Sequence, residues 1–195
     1  MTKSEQTKAF IIEKTAPIFN SKGYTGTAIS DITDATNLTK GSIYGNFANK
    51  DEVALAAFDY NLRKMNDVFL REMAKYGSAK DKLLVYGKVY ADLDSHPFPA
   101  GGCPILNTGI ESDDTHPELR AKVAAAINSW KNKLVSILEE GIKNKEFSKN
   151  INIEQIAITM IAIIEGGILI ARTTKKASYR ALIVQSLEQL INQLK

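Results

Sequence analysis

The stretch AISDITDATNLTKGSIYGNF, Ala28 to Phe47, sets Ile29, Ile32, Ala35, Leu38, Ile43 and Phe47 among threonines, asparagines, glycines and a lysine. Thr27 is placed to cap a helix carrying Ile29 and Ile32. Thr36-Asn37-Leu38 interrupts that pattern, and Thr39 opens a second, very short helix. Asn37 suits the interruption, because after glycine it is the residue that best tolerates the left-handed backbone of a tight turn between helices. On the short helix Ile43 and Phe47 share one face and point inward, which leaves Gly41, Ser42, Tyr44 and Gly45 outward. So few apolar residues holding so short a helix, with small or hydrogen-bonding residues outside, suit a helix made for close approach to something else.

The flanking segments supply the brace. From Thr7 to Lys22, Phe10, Ile11, Ile18 and Phe19 recur at helical spacing with Ala9 and Ala16, and Gly23 is a stop signal. Pro17 within that helix lacks a backbone donor and predicts a bend or a locally irregular turn. Asn49 and Glu52 form a capping-box-like start to a long helix carrying Val53, Phe58, Leu62, Met65, Phe69 and Met73 up to Gly77.

Beyond Gly77 the spacing predicts a helix over Ser78 to Asp94. SHPFPAGGCPILNTGIESDDTHPE, Ser95 to Glu118, follows with four of the five prolines, the one cysteine and both histidines, and reads as the one irregular segment. Thr115 then caps a helix running to about Phe147. Asn152, with Gln155 three residues on, opens IEQIAITMIAIIEGGILIAR, which is apolar on almost every face. The last helix carries Tyr179, Leu182, Ile183, Leu187, Leu190, Ile191 and Leu194 on a single stripe. No segment alternates with period two, so the chain reads as all-α, with eight or nine helices.

The 195 residues, 44% hydrophobic and 24% charged, are those of an ordinary globular protein large enough for a real core. A net charge of +3 and a pI near 8.8 are only mildly basic, so a nucleic-acid site must come from local arrangement. One cysteine excludes an internal disulfide framework and suits a reducing compartment. MTKSEQTK has no apolar signal-peptide core, and a cytoplasmic location is expected.

Two short helices joined by a three-residue turn and braced by a third present a recognition helix to the major groove of double-stranded DNA. Lys40 and Lys50 are placed for base edges or phosphate, and Thr27 for phosphate at a helix N-terminus. GYTGTAISDITDATNLTKGSIYGNFANKDEV, Gly23 to Val53, closely resembles the N-terminal domain of the TetR family of bacterial transcriptional regulators. The motif lies in its Gly-aromatic-x-Gly-Thr start, Asp-Ile pair, Lys-Gly-x-x-Tyr core and final Phe-x-x-Lys. Asn37 stands where glycine is usual, and Gly45 where a bulkier residue is. The resemblance implies a homodimer that reads a palindromic operator and a helical C-terminal part that binds a small-molecule inducer, with no cofactor, no metal and no catalysis. It matches Lys40, Ser42 and Tyr44 to DNA-facing positions and Lys50 to a phosphate-contacting lysine. The expected DNA-binding residues are thus Thr27, Thr39, Lys40, Gly41, Ser42, Tyr44, Gly45, Asn46 and Lys50. The expected organisation is a helix-turn-helix domain over residues 1–50, its motif about 27–47, and a ligand-binding and dimerisation domain over 51–195.

The last two helices are the natural dimer interface. A membrane span over Ile156 to Ala171 is not expected, because Glu154, Gln155 and Glu165 interrupt the segment and Arg172 ends it, leaving too short an apolar run. Gly166-Gly167 would permit close backbone approach. Phe69, Tyr86, Tyr90, Phe98 and Trp130 are either an inducer cavity or ordinary core. Glu165 is costly in an apolar helix unless paired, wet or facing a ligand. Cys103 lacks metal-ligand spacing and a fixed base; it is either a thiol or electrophile sensor whose loop exposes the thiolate or lowers its pKa, or a buried or inert thiol. The expected effector pocket is Tyr86, Tyr90, Cys103, Trp130 and Glu165.

Overall fold

The structure, a computed structural model, describes residues 2–195. Among them it contains α-helices and one 3-10 turn, with no strand. The helices are α1 (Lys3–Gly26), α2 (Ile29–Thr36), α3 (Lys40–Tyr44), α4 (Lys50–Met73), α5 (Ala79–Ala91), α6 (Pro104–Ser112), α7 (Pro117–Lys143), α8 (Ile153–Thr174) and α9 (Ala177–Asn192), and the 3-10 turn is Leu93–Ser95. Two compact units result. One comprises the chain up to Met65 with Phe98–Ala125, the other Asn66–Pro97 with Ala126–Lys195. Compactness therefore divides the chain differently from a boundary after residue 50.

In the first unit Ile11, Ala16 and Phe19 of α1 enclose Ile32, Ile43, Phe47 and Val53 in one buried cluster. The helix boundaries follow from local hydrogen bonds. Thr2 and Glu5 form a capping box, so α1 begins four residues before Thr7. Gly23 breaks its helical backbone at φ 77° and ψ 174°, and a Cβ there would collide with the Glu111 carboxylate. Pro17 keeps helical φ and ψ, and the non-helical residue inside α1 is Gly23. Ala28, not Thr27, caps α2, with its N–H donating to the Asp31 carboxylate at 2.9 Å. Asn37 adopts the left-handed turn (φ 55°, ψ 27°), and the Thr39 hydroxyl accepts from the Ser42 N–H at 3.1 Å to start α3. Asn49 accepts from the Glu52 N–H at 2.9 Å to start α4.

The segment from Ser95 to Glu118 is not irregular throughout: Pro104, at the first position, opens α6. Glycines 101 and 102, both at positive φ, shape the turn before it. Asn20 donates to the carbonyls of Ala100 and Gly102, and Asn107 donates to those of Asn20 and Gly101, which fastens this segment onto α1. His116, not Thr115, caps α7, accepting from the Leu119 N–H at 3.3 Å, while Thr115 donates back to Glu111.

In the second unit α9 packs against α5 and α8. Asn152 accepts from the Gln155 N–H at 3.1 Å to start α8. Leu187, Ile191 and Leu194 of α9 are buried, Ile183 and Leu190 are half-buried and Leu182 is 56% exposed, so the apolar stripe of α9 is covered only in part. By length and composition α8 is apolar enough to cross a membrane, with mean hydropathy 1.8, which corrects the expectation that its run is too short. Its buried face, including Ile156, Met160, Ile164 and Ile168, is packed within the unit. At Gly167 a Cβ would lie 2.5 Å from Ile183, whereas at Gly166 it would meet open space. Gly167→Ala is therefore expected to cost about 1–3 kcal/mol of stability by overpacking, and Gly166→Ala none, as read from urea unfolding of the two variants.

Candidate nucleic-acid interface and effector cavity

A helix of five residues cannot hold itself; α3 is fixed by Ile43, fully buried, and Phe47, 6% exposed. The opposite face is free. Thr39, Lys40, Gly41, Tyr44 and Gly45 are exposed and Ser42 is half-buried. The Lys40 ammonium lies 5.9 Å from the centre of the Tyr44 ring, one turn on, so a cation and an aromatic ring sit side by side. The Thr39 hydroxyl accepts from the backbone and keeps its own proton to donate. Lys8 of α1, 5.4 Å from the Phe47 ring centre, adds a cation that sequence reasoning missed, since it lies outside the motif.

Three expected contacts are otherwise engaged. Thr27 is fully buried and its hydroxyl donates to the Gly23 carbonyl at 2.6 Å, so it offers no hydroxyl to a phosphate. Asn46 donates to the Ser42 carbonyl at 2.9 Å and accepts from Ser4 at 3.3 Å, tying the end of α3 to the start of α1. The Lys50 ammonium donates to the carbonyls of Tyr24 (2.9 Å) and Thr27 (3.1 Å) over the Tyr24 ring, leaving one N–H for a phosphate.

Around the break at Gly23 a polar network joins α1, α4, α6 and α7. The Glu111 carboxylate accepts from the N–H groups of Tyr24 (2.6 Å) and Thr25 (2.7 Å), satisfying amides the break exposes. The Tyr24 hydroxyl donates to Asp51, whose carboxylate lies 3.8 Å from His116 Nε2, and the His116 ring meets Tyr24 edge-on. None of these acids carried a sequence signal, because the contacts join residues up to 87 apart.

In the second unit Phe69, Tyr86, Tyr90 and Trp130 pack ring against ring, with centroids 4.8–6.2 Å apart. Burial pushes the Tyr86 hydroxyl above its ordinary pKa, opposed weakly by the Trp130 indole N–H. Tyr86 and Trp130 are buried; Tyr90 borders a cleft with Leu93 and residues of α8 and α9. Glu165 is half-buried on α8. Cys103 belongs to the first unit, fully buried ahead of α6, which contradicts an exposed, sensing thiolate.

The hydrogen bond to Asp51, then burial, then the charges of Asp51 and Glu111 raise the Tyr24 pKa from 10.0 to about 12. The fold therefore favours the neutral phenol, and this contribution to stability, complete below pH 10, is lost as pH rises towards 12. Wild-type stability should fall more steeply than that of Tyr24→Phe across this window in urea titrations; equal slopes would remove the bond from the account.

Against known proteins, the family description "Bacterial regulatory proteins, tetR family" matches residues 11–57 and "Tetracyclin repressor-like, C-terminal domain" matches residues 79–187. A TetR-family regulator from Cytophaga hutchinsonii is 51% identical, covers 100% of this chain and 98% of its own, and superposes with a TM-score of 0.97. Another from Chloroflexus aurantiacus J-10-FL is 37% identical over 99% of this chain and 98% of its own, with a TM-score of 0.92. An HTH-type transcriptional regulator from Lactococcus lactis is 27% identical over 87% of this chain and 85% of its own. With both its helix-turn-helix and its helical C-terminal part matched, the chain belongs to the TetR family and is a DNA-binding transcriptional regulator, not an enzyme.

Proposed function

We propose that this protein is a homodimeric repressor that reads a palindromic operator and is released from it by a small-molecule inducer. The observation that carries the reading is the exposed outer face of α3, where Lys40 and Tyr44 stand together above buried Ile43 and Phe47. Thr39, Lys40, Ser42 and Tyr44 meet bases and phosphates, and the small Gly41 and Gly45 allow close approach. Lys50 and Lys8 serve phosphate, while Asn46 shapes the end of the helix. In this reading residues 1–50 carry DNA recognition and residues 51–195 carry dimerisation and effector binding, in the cytoplasm and without a membrane.

Dimerisation uses α8 and α9. Ile158, Leu169 and Ile170 of α8 are 45–47% exposed and Leu182 of α9 is 56% exposed, an apolar surface that water disfavours and a second copy would cover. Twofold symmetry then sets two recognition helices about 34–36 Å apart, or a multiple of it, to meet successive major grooves. An effector that favours a different separation lowers affinity; a coupling of about 1–3 kcal/mol changes binding roughly 5- to 150-fold.

The test is binding to DNA from upstream of the protein's own gene, read by fluorescence anisotropy against random competitor at fixed salt. Lys40→Ala and Tyr44→Ala should each weaken specific binding by about 1–3 kcal/mol and leave the unfolding midpoint unchanged, because both side chains are exposed. Undiminished selectivity in both variants would reject α3 as the reading element. Leu182→Glu should shift the protein from dimer to monomer in sedimentation velocity; a persistent dimer would place the interface elsewhere.

A further inference from the structure

Between the break at Gly23 and the cap at Thr27 lies a single helical turn, too short to hold itself, and distant side chains hold it from two sides. On one side the Glu111 carboxylate accepts from the Tyr24 N–H at 2.6 Å through one oxygen and from the Thr25 N–H at 2.7 Å through the other. On the other the Lys50 ammonium donates to the carbonyls of Tyr24 at 2.9 Å and Thr27 at 3.1 Å, with the centre of the Tyr24 ring 4.1 Å away. An ammonium has three N–H bonds, so once two are committed to carbonyls the direction of the third is set by where those carbonyls stand. The amides that Glu111 holds belong to the same turn as those carbonyls, and the carboxylate thereby governs where Lys50 can donate next. Glu111 is otherwise out of place. It is an acid in the unit that carries the helix-turn-helix, and among the described residues no cation pairs with it. Repulsion from the polyanion counts against such a residue unless its hydrogen bonds outweigh it.

We propose that Glu111 is a positioning residue for DNA binding, acting by fixing this turn and through it the direction of the remaining N–H of Lys50. The inference rests on the phosphate contact assigned to Lys50 above. Its test uses the full-length protein and a duplex that the wild-type protein selects from random sequence, with dissociation constants read by fluorescence anisotropy at fixed salt. Glu111→Gln keeps the side chain's length but sets an amide N–H against a backbone N–H, and Glu111→Asp keeps the charge but withdraws the oxygens by one methylene. Each should weaken binding by about threefold or more, the worth of one hydrogen bond. Neither should weaken it further in a Lys50→Met background, where no ammonium is left to aim. Far-ultraviolet circular dichroism checks folding, and either Glu111 variant that folds is sufficient; unfolding of both would make Glu111 a structural residue and overturn the proposal. Tighter binding by Glu111→Gln, as loss of a negative charge alone would give, would also overturn it. So would an undiminished loss in the Lys50→Met background, the mark of a general disturbance of the helix-turn-helix. If Lys50→Met weakens binding while the Glu111 variants bind as wild type, the proposal alone fails; if Lys50→Met itself binds as wild type, the phosphate contact fails with it.

Discussion

The burial of two side chains, Ile43 and Phe47, is the interaction on which recognition depends. Isolated helices shorter than about 12–15 residues are marginal in water, and α3 has five residues between a capping threonine and a glycine. Its position is imposed from beneath, by a cluster to which α1, α2 and α4 contribute Ile11, Phe19, Ile32 and Val53. With the inner face buried and the ends held by Thr39 and Asn46, the outer face is left exposed and does not have to stabilise the helix. Such a division is available only to an element whose fold is guaranteed by its neighbours.

A second constraint sits at the other end of the motif. Gly23 turns α1 out of helical geometry just before α2, and the amides freed by that turn are held by Glu111 at the far end of α6. Lys50 draws together the carbonyls of Tyr24 and Thr27, and Asp51 takes the Tyr24 hydroxyl. The start of α2 is thus set by residues from α4 and α6 as much as by its own sequence.

Much of this was legible beforehand because its causes are local. Asn37 in the turn, Thr39, Asn49 and Asn152 as caps, and the inward Ile43 and Phe47 depend on residues within a few positions of one another. The expectations that failed depended on distant partners or on competition between neighbours. Thr27 lost its capping place to Ala28 because Asp31 could reach the Ala28 amide, and its own hydroxyl turned to Gly23. The proline-rich stretch from Ser95 concealed α6, since its order comes from Asn20 and Asn107 fastening it to α1. Of the two readings left open for Cys103, an exposed sensor or a buried or inert thiol, the fully buried side chain removes the exposure and keeps the second.

What the sequence determined by itself was the helical class, the helix-turn-helix and its outward residues, since periodicity, capping and turn preference act over a few residues. What only the tertiary structure decided was which polar side chains remain available. Lys50 and Asn46 are drawn to carbonyls and a hydroxyl from other elements, and Tyr86 and Trp130 stack on each other as buried core. Those outcomes are competitions between water and partners brought together by packing, and spacing along a chain carries no record of them.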